Sequence, residues 1–162
     1  MLLDLPNAKA KILDAERDEA WIQSGGPYGW LTDNLTLWFR SERDGYFHLY
    51  TLPISGGKPV ALTSGKWEVN SVQMSKDKTK FYLTTNETHP GERQFYSMPV
   101  SGSSRSRITS GEGVHAVTLS ADERWLAVSY ASPDAPPDLY LMENKPGAPM
   151  KRLIDSYTDE FK

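Results

Sequence analysis

Large apolar side chains fall along this chain in runs of five or six, separated by short polar turns. The segments "TLWFRS" (36–41), "KFYLTT" (80–85) and "WLAVSY" (125–130) are rich in aromatic and β-branched residues, as strands are. So are "YFHLYTL" (46–52), "RQFYSMPV" (93–100) and "DLYLME" (138–143). In "LTLWF" and "YFHLYTL" large side chains stand at both parities, so a sheet with one wet face would strand half of them in water. These strands are predicted to bury both faces. Only "AKAKILDAERDEAWI" could sustain a helical period, yet its flanking Leu5-Pro6 and its Trp21 match the landmarks Leu52-Pro53 and Trp67. Strands are therefore expected there too.

The pattern repeats. "VNSVQMSKDKTKFYL" from Val69 lays over "VHAVTLSADERWLAV" from Val114, an offset of 45 residues. "LTSGKWEV" from Leu62 recurs as "ITSGEGVH" from Ile108 and more loosely as "LIDSYTDEF" from Leu153, and "DLP", "TLP" and "SMP" begin at Asp4, Thr51 and Ser97. Each period reads strand, Asp-bearing turn, strand, turn, strand, Gly or Pro turn, short edge strand. An Asp carboxylate suits the first turn because it can accept hydrogen bonds from the backbone amides ahead of it. Four strands in about 45 residues is the period of a β-propeller blade. The fold class expected is all-β, a propeller segment with a half blade over 1–26 and four-stranded antiparallel blades over 27–66, 67–112 and 113–158. Propellers close with about four to eight blades, so the chain reads as a segment of a longer protein, and its open edges and uncovered blade face predict self-association.

Composition narrows the function. The net charge of −3 supplies no electrostatic footprint for nucleic acid or for an anionic membrane. Without cysteine there is no disulfide framework and no thiolate metal site. Asp4 and Pro6 stand where a signal peptide would need an apolar core, so no address is read from this chain, and a periplasmic or a cytoplasmic parent fits equally.

The stretch "SERDGYFHLY" (41–50) gathers Glu42, Arg43, Asp44 and His48 among aromatics and looks like a site. Turn chemistry accounts for it: Asp44-Gly45 is a hairpin signal because both residues tolerate positive φ. Glu42 and Arg43 are then a solvated or blade-bridging pair, and His48 a polar side chain on a strand. No Gly-x-Ser-x-Gly elbow and no phosphate loop occurs; "SGSSRS" and "TSGKW" are the nearest strings. His48, His89 and His115 have no spacing suited to a metal, and no metal or cofactor is expected. Asp18-Glu19 could hold a cation or a substrate amine, but a solvated turn explains them as well. Asn34-Leu-Thr and Asn86-Glu-Thr are glycosylation strings that chance often produces. The turns between second and third strands differ in every blade: "ERDG", "NETHPGER", and "SPDAPPD", whose prolines are expected to stiffen it without a ladder. Varied loops sharing one rim of a repeated scaffold are where binding usually lives.

With these motifs placed, "SERDGYFHLYTL" resembles the aromatic-flanked Asp-Gly hairpin in the propeller of the dipeptidyl peptidase IV and prolyl oligopeptidase family. "LTSGKWEV" is similar to the stretch that follows it there, and "VHAVTLSADERWLAVSYASPDAPPDLYLM" to the last blade before that family's catalytic domain. The resemblance covers about Trp21 to Leu153. It implies a serine peptidase whose propeller caps an α/β-hydrolase domain, screens substrates by size and helps to position peptides often carrying Pro at the second position. The peptide would be the partner, met through a catalytic domain this chain does not include; that family's catalytic Ser, Asp and His, and its paired Glu residues, have no counterparts here. Some members line the cleft with an aromatic-Arg pair near the start of an inner strand. Ile22-Gln23 stands about there, a departure from that pair; the expected cleft-lining residues are Gln23 and Tyr28. The rival expectation is a non-enzymatic propeller that binds a protein partner.

Overall fold

The computed structural model describes residues 2–4, 9–22, 26–102 and 104–156. It is all-β. A two-stranded ribbon, β1 (Leu2–Asp4) with β2 (Lys9–Lys11), precedes three four-stranded antiparallel sheets in which each strand pairs with its neighbour in sequence. The first sheet runs β3 (Tyr28–Trp30), β4 (Thr36–Ser41), β5 (His48–Pro53), β6 (Val60–Ala61). The second runs β7 (Val69–Met74), β8 (Lys80–Thr85), β9 (Gln94–Pro99), β10 (Ser106–Arg107). The third runs β11 (Val114–Leu119), β12 (Trp125–Ser132), β13 (Ala135–Glu143), β14 (Lys151–Arg152). These are the blades that the repeat predicts.

The same turn joins the first two strands of every blade. Asp33 Oδ1 accepts from the Leu35 amide at 2.9 Å, Asp77 Oδ1 from Thr79 at 3.0 Å and Asp122 Oδ1 from Arg124 at 3.2 Å. The residue after each Asp is left-handed: Asn34, Lys78 and Glu123 have φ of 54°, 56° and 60°. Ser75 and Ser120 each donate to their Asp at 2.7 Å and accept from the amides of Lys80 and Trp125. The carboxylate thus meets the amides that the turn takes out of the ladder.

Burial at both parities follows from stacking of the blades. In β8, Phe81, Tyr82 and Leu83 are all buried. Phe81 and Leu83 pack toward the first blade with Trp38, Leu49 and Val72, the Trp38 and Phe81 rings meeting edge-on at 5.3 Å. Tyr82 points the other way, into a cluster with Phe95, Leu126, Val128 and Met142 that joins the second blade to the third. Each such buried side chain contributes about 1.5–3 kcal/mol, which holds the blades face to face.

Three expectations need correction. The leading segment forms strand only at β1 and β2, and residues 12–22 are irregular; Leu5-Pro6 lies outside the described residues. Lys11, Asp14 and Glu16 reach the first blade through side-chain bonds, to the Ser55 carbonyl, Arg43 and Ser41. The "SPDAPPD" hairpin does carry a ladder: Ser132 pairs with Ala135, and β13 runs through Pro136 and Pro137. A register shift between Tyr130 and Ser132 accommodates them, since a bulge spares the ladder an N–H that proline lacks. At the "ERDG" turn only Gly45 takes a positive φ, 91°, and the Gly45 amide donates to the Glu42 carbonyl at 2.8 Å.

Candidate functional site

Antiparallel register places the β4–β5 turn (42–47), the β8–β9 loop (86–93) and the β12–β13 hairpin (133–134) at one rim, with the starts of β3, β7 and β11. The links that enter β7 and β11 reach this same rim. The repeated Asp turns lie at the other. One rim therefore carries the variation and the opposite rim the constant turns.

At the first blade the leading segment closes against "SERDG". Arg43 forms an ion pair with Asp14 at 2.6 Å, and its Nε donates to Ser41 Oγ at 2.9 Å. Ser41, buried, donates to Glu16 Oε1 at 2.6 Å. Burial pulls the Arg43 guanidinium down, but its bond to Asp14 and the charges of Asp14 and Glu16 outweigh that and raise it above its ordinary value. Desolvation, with the Asp44 charge beside it, pushes the Tyr50 hydroxyl up to about 12. A small cleft of about 220 Å³ lies between this turn and residues 15–22. Two of its carboxylates are engaged in structure: Glu16 with Ser41, and Asp18 with the amides of Ala20 and Trp21 at 2.8 and 3.1 Å. Those two amides hold the Asp18 carboxyl below its usual range. Arg43 thus bridges the first blade to the irregular leading segment rather than to another blade, and the group as a whole fastens that segment to the blade.

Arg40 makes a second bridge that no residue pattern announces. Its Nη1 donates to the carbonyls of Val69, at 3.2 Å, and Asn70, at the start of the next blade's inner strand, where the register shifts between Val69 and Ser71. Its guanidinium also lies 4.4 Å over the Phe47 ring. Burial lowers its affinity for a proton, against the charges of Glu68 and Glu42.

The histidines do not converge. His48 is fully buried, with Nδ1 3.0 Å from Thr63 Oγ1 and Nε2 3.0 Å from the Gly65 carbonyl, and its ring meets Trp67 edge-on at 4.8 Å. His89 is exposed in the β8–β9 loop and accepts the Gly91 amide on Nδ1 at 3.1 Å. His115 is fully buried at the start of β11. Among the described residues no group of three His, Cys, Asp or Glu side chains could hold a metal ion. Of the expected cleft-lining residues, Gln23 lies outside the described residues. Tyr28 opens β3 at the variable rim, paired in the backbone with Phe39, and is 76% exposed. A rim cleft of about 510 Å³ lies between the second and third blades, where the β8–β9 loop and the β12–β13 hairpin flank the link into β11.

Stacked four-stranded blades with constant turns on one rim and varied loops on the other define a β-propeller segment. Residues 1–137 match the family model described as the dipeptidyl peptidase IV (DPP IV) N-terminal region, and the chain belongs to that family. It is 27% identical over 172 residues to a probable dipeptidyl peptidase 4 of Aspergillus fumigatus, an alignment covering 95% of this chain and 21% of that protein. Its identity to a probable dipeptidyl peptidase 4 of Emericella nidulans is 31% over 120 residues, covering 72% of this chain and 15% of the relative. Among solved structures, the crystal structure of Porphyromonas gingivalis dipeptidyl peptidase 4 superposes with a TM-score of 0.58 at 20% identity, over 71% of this chain and 17% of that one. The chain thus spans about a fifth of the length of such relatives.

Proposed function

We propose that this chain is a non-catalytic part of the propeller of a dipeptidyl-peptidase-IV-like prolyl serine peptidase, acting as scaffold and as a gate that admits peptides by size. The observation that carries this reading is the family match over residues 1–137. The chemistry of the rim agrees with it. Three polar groups of "SERDGYFHLY" are spent on structural bonds: Arg43 on Asp14, Ser41 on Glu16, and His48 on Thr63 and Gly65. Tyr28, exposed at the rim, is the residue offered to a passing peptide.

The purified chain should not turn over an X-Pro chromogenic substrate, and turnover retained after removal of trace contaminants would overturn the reading. Sequencing past Lys162 tests the parent: a downstream Gly-x-Ser-x-Gly is expected, and a stop or only further blades would point to a non-enzymatic scaffold. In the isolated chain, Trp125, Leu153 and Ile154 on the third blade are 38–50% exposed, and self-association through them is expected. Light scattering that gave a monomer at every concentration would refute that part.

A further inference from the structure

The two seams between blades follow one backbone plan and differ in what fills them. In both, an amide at the start of the inner strand reaches back to the blade before it: Val69 N to Phe47 O at 2.7 Å, and His115 N to Arg93 O at 3.0 Å. The links that lead into these bonds are "SGKWEV" (64–69) and "SGEGVH" (110–115). Trp67 is matched by Gly113, Lys66 by Glu112 and Glu68 by Val114, and at the end of the second strand Asn86 is matched by Ala131. At the first seam these side chains close the rim. Trp67 meets His48 edge-on and carries the Arg105 guanidinium 4.6 Å over its ring, while Asn86 Oδ1 accepts the Glu68 amide at 2.6 Å. At the second seam Gly113 and Ala131 bring at most a methyl group, and the rim cleft of about 510 Å³ stands open there.

The lining of that cleft has one chemistry. Its floor is apolar: Val114, 40% exposed, lies across the β11–β12 pair from Ala131, with Pro133 of the hairpin among the walls. Two carboxylates line it, Glu92 from the β8–β9 loop and Glu112 from the link, and among the described residues no lysine or arginine does. Glu92 commits one oxygen, Oε2, to Gln94 at 2.8 Å and to Thr88 at 3.4 Å. The Glu112 side chain is exposed and has no bond among the described residues. The neighbouring cations are held elsewhere, Arg93 by the Pro90 and Glu92 carbonyls and Arg107 by those of Thr109 and Gly111. His89, also in the wall, accepts the Gly91 amide on Nδ1 at 3.1 Å. We infer that this cleft binds a long cationic side chain, arginine or lysine, carried by an extended peptide: its methylene stem lies on Val114, Ala131 and Pro133, and its charged head reaches Glu92 and Glu112. The size agrees, since small-molecule sites span about 300–1,000 Å³. The first seam, with Lys66 and Trp67 at the matching positions, sets a like charge and a bulky ring against the same guest. Taking a peptide as the guest rests on the function proposed above. A probe without Pro, whose binding and not hydrolysis is measured, separates the two readings.

Titration of the whole chain with acetyl-Ala-Arg-Ala-amide, followed by amide NMR in about 0.15 M salt to screen diffuse attraction, tests this. The Gly91, Gly113, Val114 and Ala131 amides should shift together and saturate with a Kd of about 1 mM, while the Leu83 amide in β8 stays in place. The lysine probe should match the arginine probe within about threefold, and the citrulline probe, of the same shape without the charge, should bind about tenfold more weakly. Glu112→Gln, at an exposed and unbonded position, should weaken the arginine probe by about threefold. Val114→Trp, which returns an indole to this rim, should abolish binding; should it not fold, the Glu112→Gln and citrulline comparisons decide. Shifts that do not saturate, that centre on Asp18 and Glu19, that survive Glu112→Gln unchanged or that the citrulline probe reproduces in full overturn the proposal.

Discussion

Gln94 stands in the second blade where His48 stands in the first, and the two unlike side chains make the same connection. His48 reaches Thr63 Oγ1 and the Gly65 carbonyl; Gln94 takes the Thr109 hydroxyl on Oε1 and gives Nε2–H to the Gly111 carbonyl, both at 2.8 Å. Each Thr also accepts the next strand amide, Leu49 at 3.0 Å and Phe95 at 2.9 Å. In the third blade Asp138 holds the position, buried, with Arg152 and Ser156 as its partners. The first residue of each third strand's buried run is thus a polar latch onto the link that leads out of the blade.

His48→Gln should therefore keep the latch and stay within about 1.5 kcal/mol of wild type. His48→Ala leaves the buried Thr63 hydroxyl proton without its acceptor, removes the ring's bond to the Gly65 carbonyl and opens a hole beside Trp67, at a cost of about 2–4 kcal/mol. Urea unfolding of the two variants measures the difference, and equal losses would show that packing against Trp67, not hydrogen bonding, is what His48 supplies.

Two glycines of similar backbone geometry should respond differently to Ala. Gly45, at the tip of the "ERDG" turn, has φ 91° with open space where a Cβ would stand, so Gly45→Ala costs only the left-handed penalty of about 1–2 kcal/mol. Gly113 has φ 119°, and a Cβ there would overlap the carbonyl oxygen of Ala131, which belongs to the backbone and cannot rotate aside. Gly113→Ala should cost about 3–5 kcal/mol and loosen the seam beside His115. Thermal unfolding compares them directly; a milder effect at Gly113 would mean that β12 yields at its bulge.

What was readable in the chain was what each blade does locally. The Asp turns announce themselves because their bonds span two or three residues, and the two-sided burial of "KFYLTT" shows in its apolar parity. Arg40 and His115 were opaque for the opposite reason. Their partners are backbone carbonyls of another blade, 29 residues away for Arg40 to Val69 and 22 for His115 to Arg93, and carbonyls leave no trace in residue identity. The segment 12–22 misled because Trp21 matches Trp67 in type alone: Trp67 packs on His48, whereas Trp21 is 75% exposed. Nor could any pattern say that the prolines of "SPDAPPD" would find a bulge to sit against.

The constant rim should govern the response to strong acid. Hydrogen bonds from the Ser75 hydroxyl and from the Thr79 amide and hydroxyl hold the Asp77 carboxyl down at about 2, and Asp33 and Asp122 are lowered by the same turn. A carboxylate whose folded pKa lies below its unfolded value, about 3.9, lends stability that is whole above that value and lost as pH falls through the folded one. The window is thus about pH 4 to 2. Asp77→Ala removes the contribution, so its melting temperature should lie below wild type by a constant amount above pH 4, and the gap should close toward pH 2 as the wild-type carboxylate is neutralised. Circular dichroism melts at half-unit steps follow the gap. A gap that persists undiminished at pH 2 would mean that the neutral carboxyl caps the turn as well as the charged one, and that turn shape rather than charge fixes the hairpin.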